Sequence, residues 1–416
     1  MGCANLGRQL NRHSLLIDEN ARSGPPGLSI LQHGGACSQV HLERRHQSCE
    51  LRIDIMKSGI RPGRERRSVV SLSGALLVVL MASGIVSSDG TRAGAAEKSA
   101  KASPVNFWIV SSRSCPLGTK VLQGAAFDYL KYDQEGTPTW GDEKQFHASL
   151  IKGAPICVSV HGSFVDWNDV ATDGFETARW LRKGAPDRPL NVVLFSWKST
   201  GPFTVATMPL LISAFPQIDT QLLGRRSSFI GLYLGRMVAD LPPEYSVSLF
   251  GHSHGCRTVS SALHVLAGGQ VQGYVLAERP KHKRRMRAIF AAAAIDHHWL
   301  NPDQRFGRAT EVAEKVVNLR NHRDTVLRIY PLRHPLSNRA LANVGFTAQD
   351  RMVMGNRSDR VTEFDVSGVV GANHGWPSYY ARPEIARTVA EHVYFLPPKS
   401  GTKSSSKETA SVRQIR

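Results

Sequence analysis

Along residues 105–396, short runs of β-branched and other apolar residues alternate with longer stretches of helical period. That alternation is the pattern of a parallel α/β sheet. The apolar runs predict strands at residues 105–111, 154–160, 191–196, 246–250, 287–295, 315–320 and 361–369. Helices are predicted at residues 172–183, at 227–240 ahead of Pro242-Pro243, and at 257–267 ahead of Gly268-Gly269. Strands that read as continuous apolar runs are covered by helices on both faces. The expected fold class is therefore α/β, with a mostly parallel, doubly wound sheet.

The two ends of the chain lack this alternation. Residues 1–55 have no sustained apolar period. Met56 is followed by Lys57, Arg61, Arg64, Arg66 and Arg67, then by an uncharged run over residues 68–86, then by small residues including Ala93-Gly94-Ala95. A basic region, an apolar region and an A-x-A site are the parts of an export signal. A run of that length also just spans a bilayer as an uncleaved anchor, and Arg66-Arg67 admits a twin-arginine route. A buried core helix is the competing reading. The expected organisation is an upstream over-extension or disordered leader at 1–55 and a signal peptide or membrane anchor plus linker at 56–103. A catalytic domain follows at 104–396, then a disordered basic tail at 397–416. The protein is accordingly expected to be exported (periplasmic, secreted or membrane-anchored), with residues 68–86 as its membrane contact.

Composition first complicates this picture and then sharpens it. The 416 residues carry a formal charge of +18 and a pI near 9.9, which invites a nucleic-acid or polyanion reading. The charge is unevenly placed. Residues 1–103 hold 14 basic and 8 acidic side chains, and residues 397–416 hold 5 and 1. The remainder is a body of net +8, six of whose basic side chains fall in the run 279–287. That run is expected to be a solvated loop before a strand, with a phosphate- or polyanion-contacting patch as the alternative. It has neither aromatic interleaving nor a DNA-reading motif, so no nucleic-acid partner is expected. Cys115, Cys157 and Cys256 are isolated, without CxxC spacing, and predict buried thiols rather than a disulfide framework.

The chemistry-bearing motif is Gly251-His252-Ser253-His254-Gly255. Alone, G-x-S-x-G is weak. Here it directly follows a predicted strand and precedes a predicted helix, the setting of a nucleophile elbow. In so tight a turn a side chain at either glycine would meet neighbouring backbone. A nucleophilic Ser253 needs a base and an orienting acid, in the order Ser, acid, His for this arrangement. Asp324 falls just beyond the strand 315–320, and His374 in the loop after the last strand. Asp296, one strand earlier, is the rival acid. The oxyanion hole is expected from two backbone N–H groups, that of His254 and that of Ser163 or Phe164. His161 reads as a turn-packing residue. A metal site built from His252, His254, Asp296, His297 and His298 is the alternative, but these lack ligand spacing such as H-E-x-x-H. No metal and no cofactor are expected.

Several segments in order resemble a family. They are Val160-His161-Gly162-Ser163, Phe195-Ser196-Trp197-Lys198-Ser199-Thr200-Gly201, the elbow, Ala294-Ile295-Asp296, Asn321-His322-Arg323-Asp324, and His374 followed by Tyr379-Tyr380. The chain resembles, over residues 105–395, a group of bacterial α/β-hydrolases of uncharacterised activity. Lys198 stands where that family more often has proline, His254 where it more often has methionine, and Trp376-Pro377 is unusual between His374 and the tyrosines. The resemblance implies an α/β-hydrolase fold and a serine hydrolase using Ser253, Asp324 and His374, and names no ester. The expected activity is hydrolysis of a carboxylic ester or related acyl bond, with a small molecule or lipid as substrate. A catalytically silent fold serving as a binding module at the cell surface is the alternative. The apolar, Pro-broken stretch 203–218 either lines or lids the site, hinting at an apolar acyl group, or is plain core.

Overall fold

Pairing between strands far apart in sequence sets the architecture. The computed structural model describes residues 104–117, 126–133, 136–201, 215–277, 283–333, 336–397 and 412–415, with only the backbone course given for 215–219. The expected leader and anchor (1–55 and 56–103, including 68–86), the stretch 203–214 and residues 398–411 lie outside the described residues. By its contacts the chain divides into Met1–Ser68 and Val69–Arg416, and every described residue belongs to the second unit.

Among the described residues, ten strands form one sheet: β1 (Val105–Ser111), β2 (Asp128–Tyr132), β3 (Pro138–Gly141), β4 (Ile156–Val160), β5 (Leu190–Ser196), β6 (Val247–His252), β7 (Met286–Ala291), β8 (Lys315–Arg320), β9 (Val361–Asp365) and β10 (Arg413–Gln414). Their order across the sheet is β10-β9-β8-β7-β6-β4-β5-β1-β2-β3. The neighbours from β1 to β10 run parallel, and the β2–β3 hairpin adds an antiparallel edge. At the centre, Val158 of β4 pairs with Val193 of β5 on one side and Leu249 of β6 on the other. Strands β4 to β7 are buried along their whole length, as expected for a sheet covered on both faces.

Helices α1 (Glu143–Ala148), α2 (Trp167–Gly184), α3 (Phe215–Asp240), α4 (His254–Leu266) and α5 (Pro383–Val393) surround the sheet. Helices α2 and α5 pack against each other, α2 over β1 and β5 and α5 over β6 and β7. Helix α4 lies on β4, β6 and β7 and is itself covered by α3, so every residue of α4 is buried. The result is a doubly wound α/β fold. No helix among the described residues is long and apolar enough to cross a membrane.

Three departures from expectation have physical causes. Helix α3 begins at Phe215 rather than 227, with Pro216 in its first turn, where a missing N–H costs no hydrogen bond. The strand expected over 287–295 ends at Ala291 because Ala292 turns the chain with φ +48°. The end of the chain, expected to be a solvated tail, returns as β10, pairing Arg413 with Phe364 and Gln414 with Asp365 of β9. Backbone pairing along a free sheet edge needs no side-chain pattern, so this strand leaves none to read.

The basic run is used internally where it is described. Arg285 and Arg287 pair with Glu314 at 2.8 and 2.6 Å, and Arg284 donates to the Leu241 carbonyl at 2.6 Å. Cys115, Cys157 and Cys256 are buried free thiols.

Candidate active site

The site starts from the turn between β6 and α4. Ser253 has φ +53° and ψ −122°, a conformation that costs on the order of 1–3 kcal/mol for a residue with a side chain. The surroundings enforce it. The Ser253 N–H donates to the Ala291 carbonyl at 3.0 Å, and its own carbonyl accepts from Cys256 N–H at 3.1 Å. A Cβ on Gly251 would stand 2.6 Å from the Cys256 backbone, and one on Gly255 would stand 2.2 Å from the Val160 carbonyl oxygen. The two glycines let α4 start against the end of β4, which sets Ser253 at the carboxyl edge of the sheet.

Parallel strands bring their carboxyl ends to that same edge. Asp324 follows β8 and caps the single helical turn Thr325–Arg328, its Oδ1 accepting from Leu327 N–H at 2.9 Å. His374 follows β9 and the helical turn Ser367–Val370. The Nδ1 of His374 is 2.8 Å from Asp324 Oδ2, and its Nε2 is 3.0 Å from Ser253 Oγ. Asp324 is wholly buried, with both carboxylate oxygens occupied. The Nε2–H of His252 donates to the His374 carbonyl at 2.8 Å, pinning the backbone of that loop. Burial first, then the neighbouring His374, holds the His252 pKa down to about 3, so it does this as a neutral ring.

Asp296, weighed as the rival acid, is not the partner of His374. Its Oδ1 accepts from the Tyr330 hydroxyl at 3.0 Å and from Arg333, and its Oδ2 from Asn338 N–H at 3.0 Å. The histidines of the metal alternative are also engaged separately. The Nδ1 of His254 meets Ser163 Oγ at 2.7 Å, and that of His297 meets Asp350 at 2.7 Å. Among the described residues, no group of three or more His, Cys, Asp or Glu could hold a metal ion. His161 is a packing residue: its Nδ1–H donates to the Gly162 carbonyl at 2.9 Å, its Nε2 accepts from Trp197 N–H at 3.2 Å, and it stacks on the Trp197 ring.

Of the two residues expected to offer an N–H from the turn after β4, Phe164 has its N–H already engaged. It has φ +64° and donates its N–H to the Ser199 carbonyl at 2.8 Å. The N–H groups of Ser163 and His254 have no hydrogen-bond partner among the described residues.

A cavity of about 660 Å³ opens beside Ser253 and His374. Its walls are mainly apolar, with Phe164, Val165, Ile329, Leu332 and Trp376 prominent, and Asp169, Asp173 and Arg333 as charged members. Burial first, then the charge of Asp169, raises the Asp173 pKa to about 6, while the Tyr380 hydroxyl lies 3.4 Å from its Oδ1. Of these wall residues, Phe164 and Trp376 are singled out in the sequence, whereas Val165, Asp169, Asp173, Ile329, Leu332 and Arg333 are not. The only signal for the segment behind Asp324 is its spacing of Val326, Leu327, Ile329 and Leu332 around Pro331.

A mostly parallel, helix-covered sheet with a serine on a strained strand-to-helix turn at its carboxyl edge is the α/β-hydrolase fold. Among solved structures, the chain is similar to a lipase/esterase from Lactobacillus plantarum, with 12% identity over 59% of this chain and 85% of that one and a TM-score of 0.29. No family model matches the chain, and no curated protein matches it.

Proposed function

We propose that this chain is a serine hydrolase that cleaves a carboxylic ester or related acyl bond through an acyl-Ser253 intermediate. The observation that carries this reading is the unbroken hydrogen-bond chain Ser253–His374–Asp324 on an elbow turn. Asp324 holds His374 as the tautomer with hydrogen on Nδ1, which leaves Nε2 as the base. Nε2 takes the Ser253 proton as Oγ attacks the carbonyl carbon. The negative charge that develops on the carbonyl oxygen is received by the N–H groups of Ser163 and His254, at the N-terminus of α4. His374 then returns the proton to the departing alcohol, and a water molecule repeats the sequence to release the acid. The apolar walls of the cavity suit the hydrocarbon part of the ester.

A fluorophosphonate probe is expected to label the purified protein, and Ser253→Ala to abolish labelling and lower ester hydrolysis by about 10³-fold or more. Asp324→Asn is expected to lower kcat by about 10²–10⁴-fold with smaller change in KM, because it disturbs the His374 tautomer. Labelling that survives Ser253→Ala removes Ser253 from the reaction. A folded protein that the probe never labels points instead to a silent fold that binds without turnover.

A further inference from the structure

A second concentration of charge adjoins the cavity, and the chemistry proposed for Ser253 does not use it. Arg257, one turn after His254 on α4, is buried. Its Nε donates to Ser228 Oγ at 2.6 Å, and its guanidinium lies 4.7 Å from the centre of the Trp299 ring. Arg305 lies 4.5 Å from the same ring centre. Arg333 lies 5.7 Å from it and 3.4 Å over the Tyr330 ring. Arg333, Tyr330 and His254 all line the cavity that holds Ser253. Asp296 is already committed to Tyr330, Arg333 and the Asn338 N–H. Among the described residues, neither Arg257 nor Arg305 has a carboxylate partner.

Three guanidinium groups gathered around the single carboxylate of Asp296, one of them, Arg257, buried, are costly unless something else supplies further negative charge. The cost is visible in Arg257, whose pKa is brought down to about 9, by burial first and by Arg305 and Arg333 among its neighbours. Arginines resting on aromatic rings hold their donors in a fixed plane suited to carboxylate or phosphate oxygens. Resting on the hydrolase reading above, we propose that Arg257, Arg305 and Arg333, seated on Trp299 and Tyr330, form a subsite for an anionic group, carboxylate or phosphate, carried by the ester that Ser253 attacks.

The test is a binding measurement on Ser253→Ala protein, so it does not depend on turnover. Calorimetry compares methyl butyrate, monomethyl glutarate, the trimethylammonium analogue of the same ester, and inorganic phosphate. Monomethyl glutarate is expected to bind about tenfold or more tightly than methyl butyrate, as charge-assisted hydrogen bonds require. Arg305→Gln should remove most of that preference. Arg305 is exposed, so this variant tests the subsite even if Arg257→Gln fails to fold. Equal affinities, tightest binding of the ammonium ester, which Asp169 and Asp173 would favour, or no measurable binding of the glutarate ester would each overturn the proposal. Binding of inorganic phosphate without discrimination between the esters would assign the arginines to a separate ion and overturn it too. Failure of the protein with Ser253 intact to take the fluorophosphonate label would instead strike at the hydrolase reading, leaving the binding result to stand on its own.

Discussion

Asp173 shows how a single side chain can set both stability and pH response. It lies one turn after Asp169 on α2, in the wall of an apolar cavity. Its pKa is raised to about 6 by burial and by Asp169, above the value near 3.9 of an unfolded chain. The fold therefore favours its protonated form. Its contribution to stability is fully present below about pH 4 and is lost as the pH rises through about 6. Asp173→Asn is expected to stabilise the protein at pH 7 by about 1–2 kcal/mol, less than the full linkage value because the group is partly solvated. Urea unfolding at pH 7 and at pH 4 checks this; an equal gain at both would rule out the carboxylate charge as the cause. Ser253, Asp324 and His374 were legible in the sequence because each follows an apolar strand run, and such runs are easily read. The choice between Ser163 and Phe164 was not. It depends on the Ser199 carbonyl, which the Phe164 N–H meets only after β4 and β5 have paired. The choice between Asp324 and Asp296 likewise depends on Tyr330 and Arg333, which belong to no predicted element.

At the scale of elements, the elbow is a tightly constrained junction. Gly255→Ala would place a methyl carbon 2.2 Å from the Val160 carbonyl oxygen, which belongs to a central strand and has little room to yield. A loss of about 3 kcal/mol or more is expected, or failure to accumulate as soluble protein. Gly153→Ala meets nothing within 4 Å and should cost only about 1 kcal/mol, for its φ of +75°. Urea midpoints for the pair separate steric from conformational cost; similar losses would count against the close approach. The buried parallel strands were legible for the reason that made them central: both faces are apolar. The β2–β3 hairpin was not, because it is a short edge whose Lys131, Thr139 and Trp140 face solvent. Helix α5 was missed although its buried face, Ile385, Ala386, Val389, Ala390 and Val393, follows helical spacing. That helix is only 11 residues long and two of the five members of its buried face are alanines, so the apolar stripe it leaves in the sequence is short and holds few large side chains.

At the scale of the molecule, among the described residues, buried neutral histidines outnumber half-buried carboxylates of the Asp173 kind. His161, His252 and His254 are held down to about 3, and His392 to about 4, with burial the first cause in each case. A histidine with a depressed folded pKa leaves stability intact above its unfolded value near 6.5. That stability is lost as the pH falls from there towards the folded value, because only the unfolded chain takes up the proton. Asp173 works in the opposite sense but is outnumbered. The melting temperature is expected to be level above about pH 7 and to fall steadily below about pH 6, as calorimetry across that range would register. A melting temperature that held level down to pH 4 would show that these rings are not buried as described. The overall basic charge, by contrast, said little about function. Part of it is taken up by internal pairs such as Arg285 and Arg287 with Glu314, and part is gathered around Trp299, where only folding could assemble it.

The 2.7 Å contact between Ser163 Oγ and His254 Nδ1 joins residues 91 positions apart, on the turns that leave the neighbouring strands β4 and β6. Neither residue's backbone N–H has a hydrogen-bond partner among the described residues. Their side chains are thus tied to each other while their amides are left unpaired. The gap between the amides is thereby gauged before any substrate arrives, and neither turn can drift outward without breaking the clasp. A methionine at 254 would leave the same gap to be held by the backbone alone.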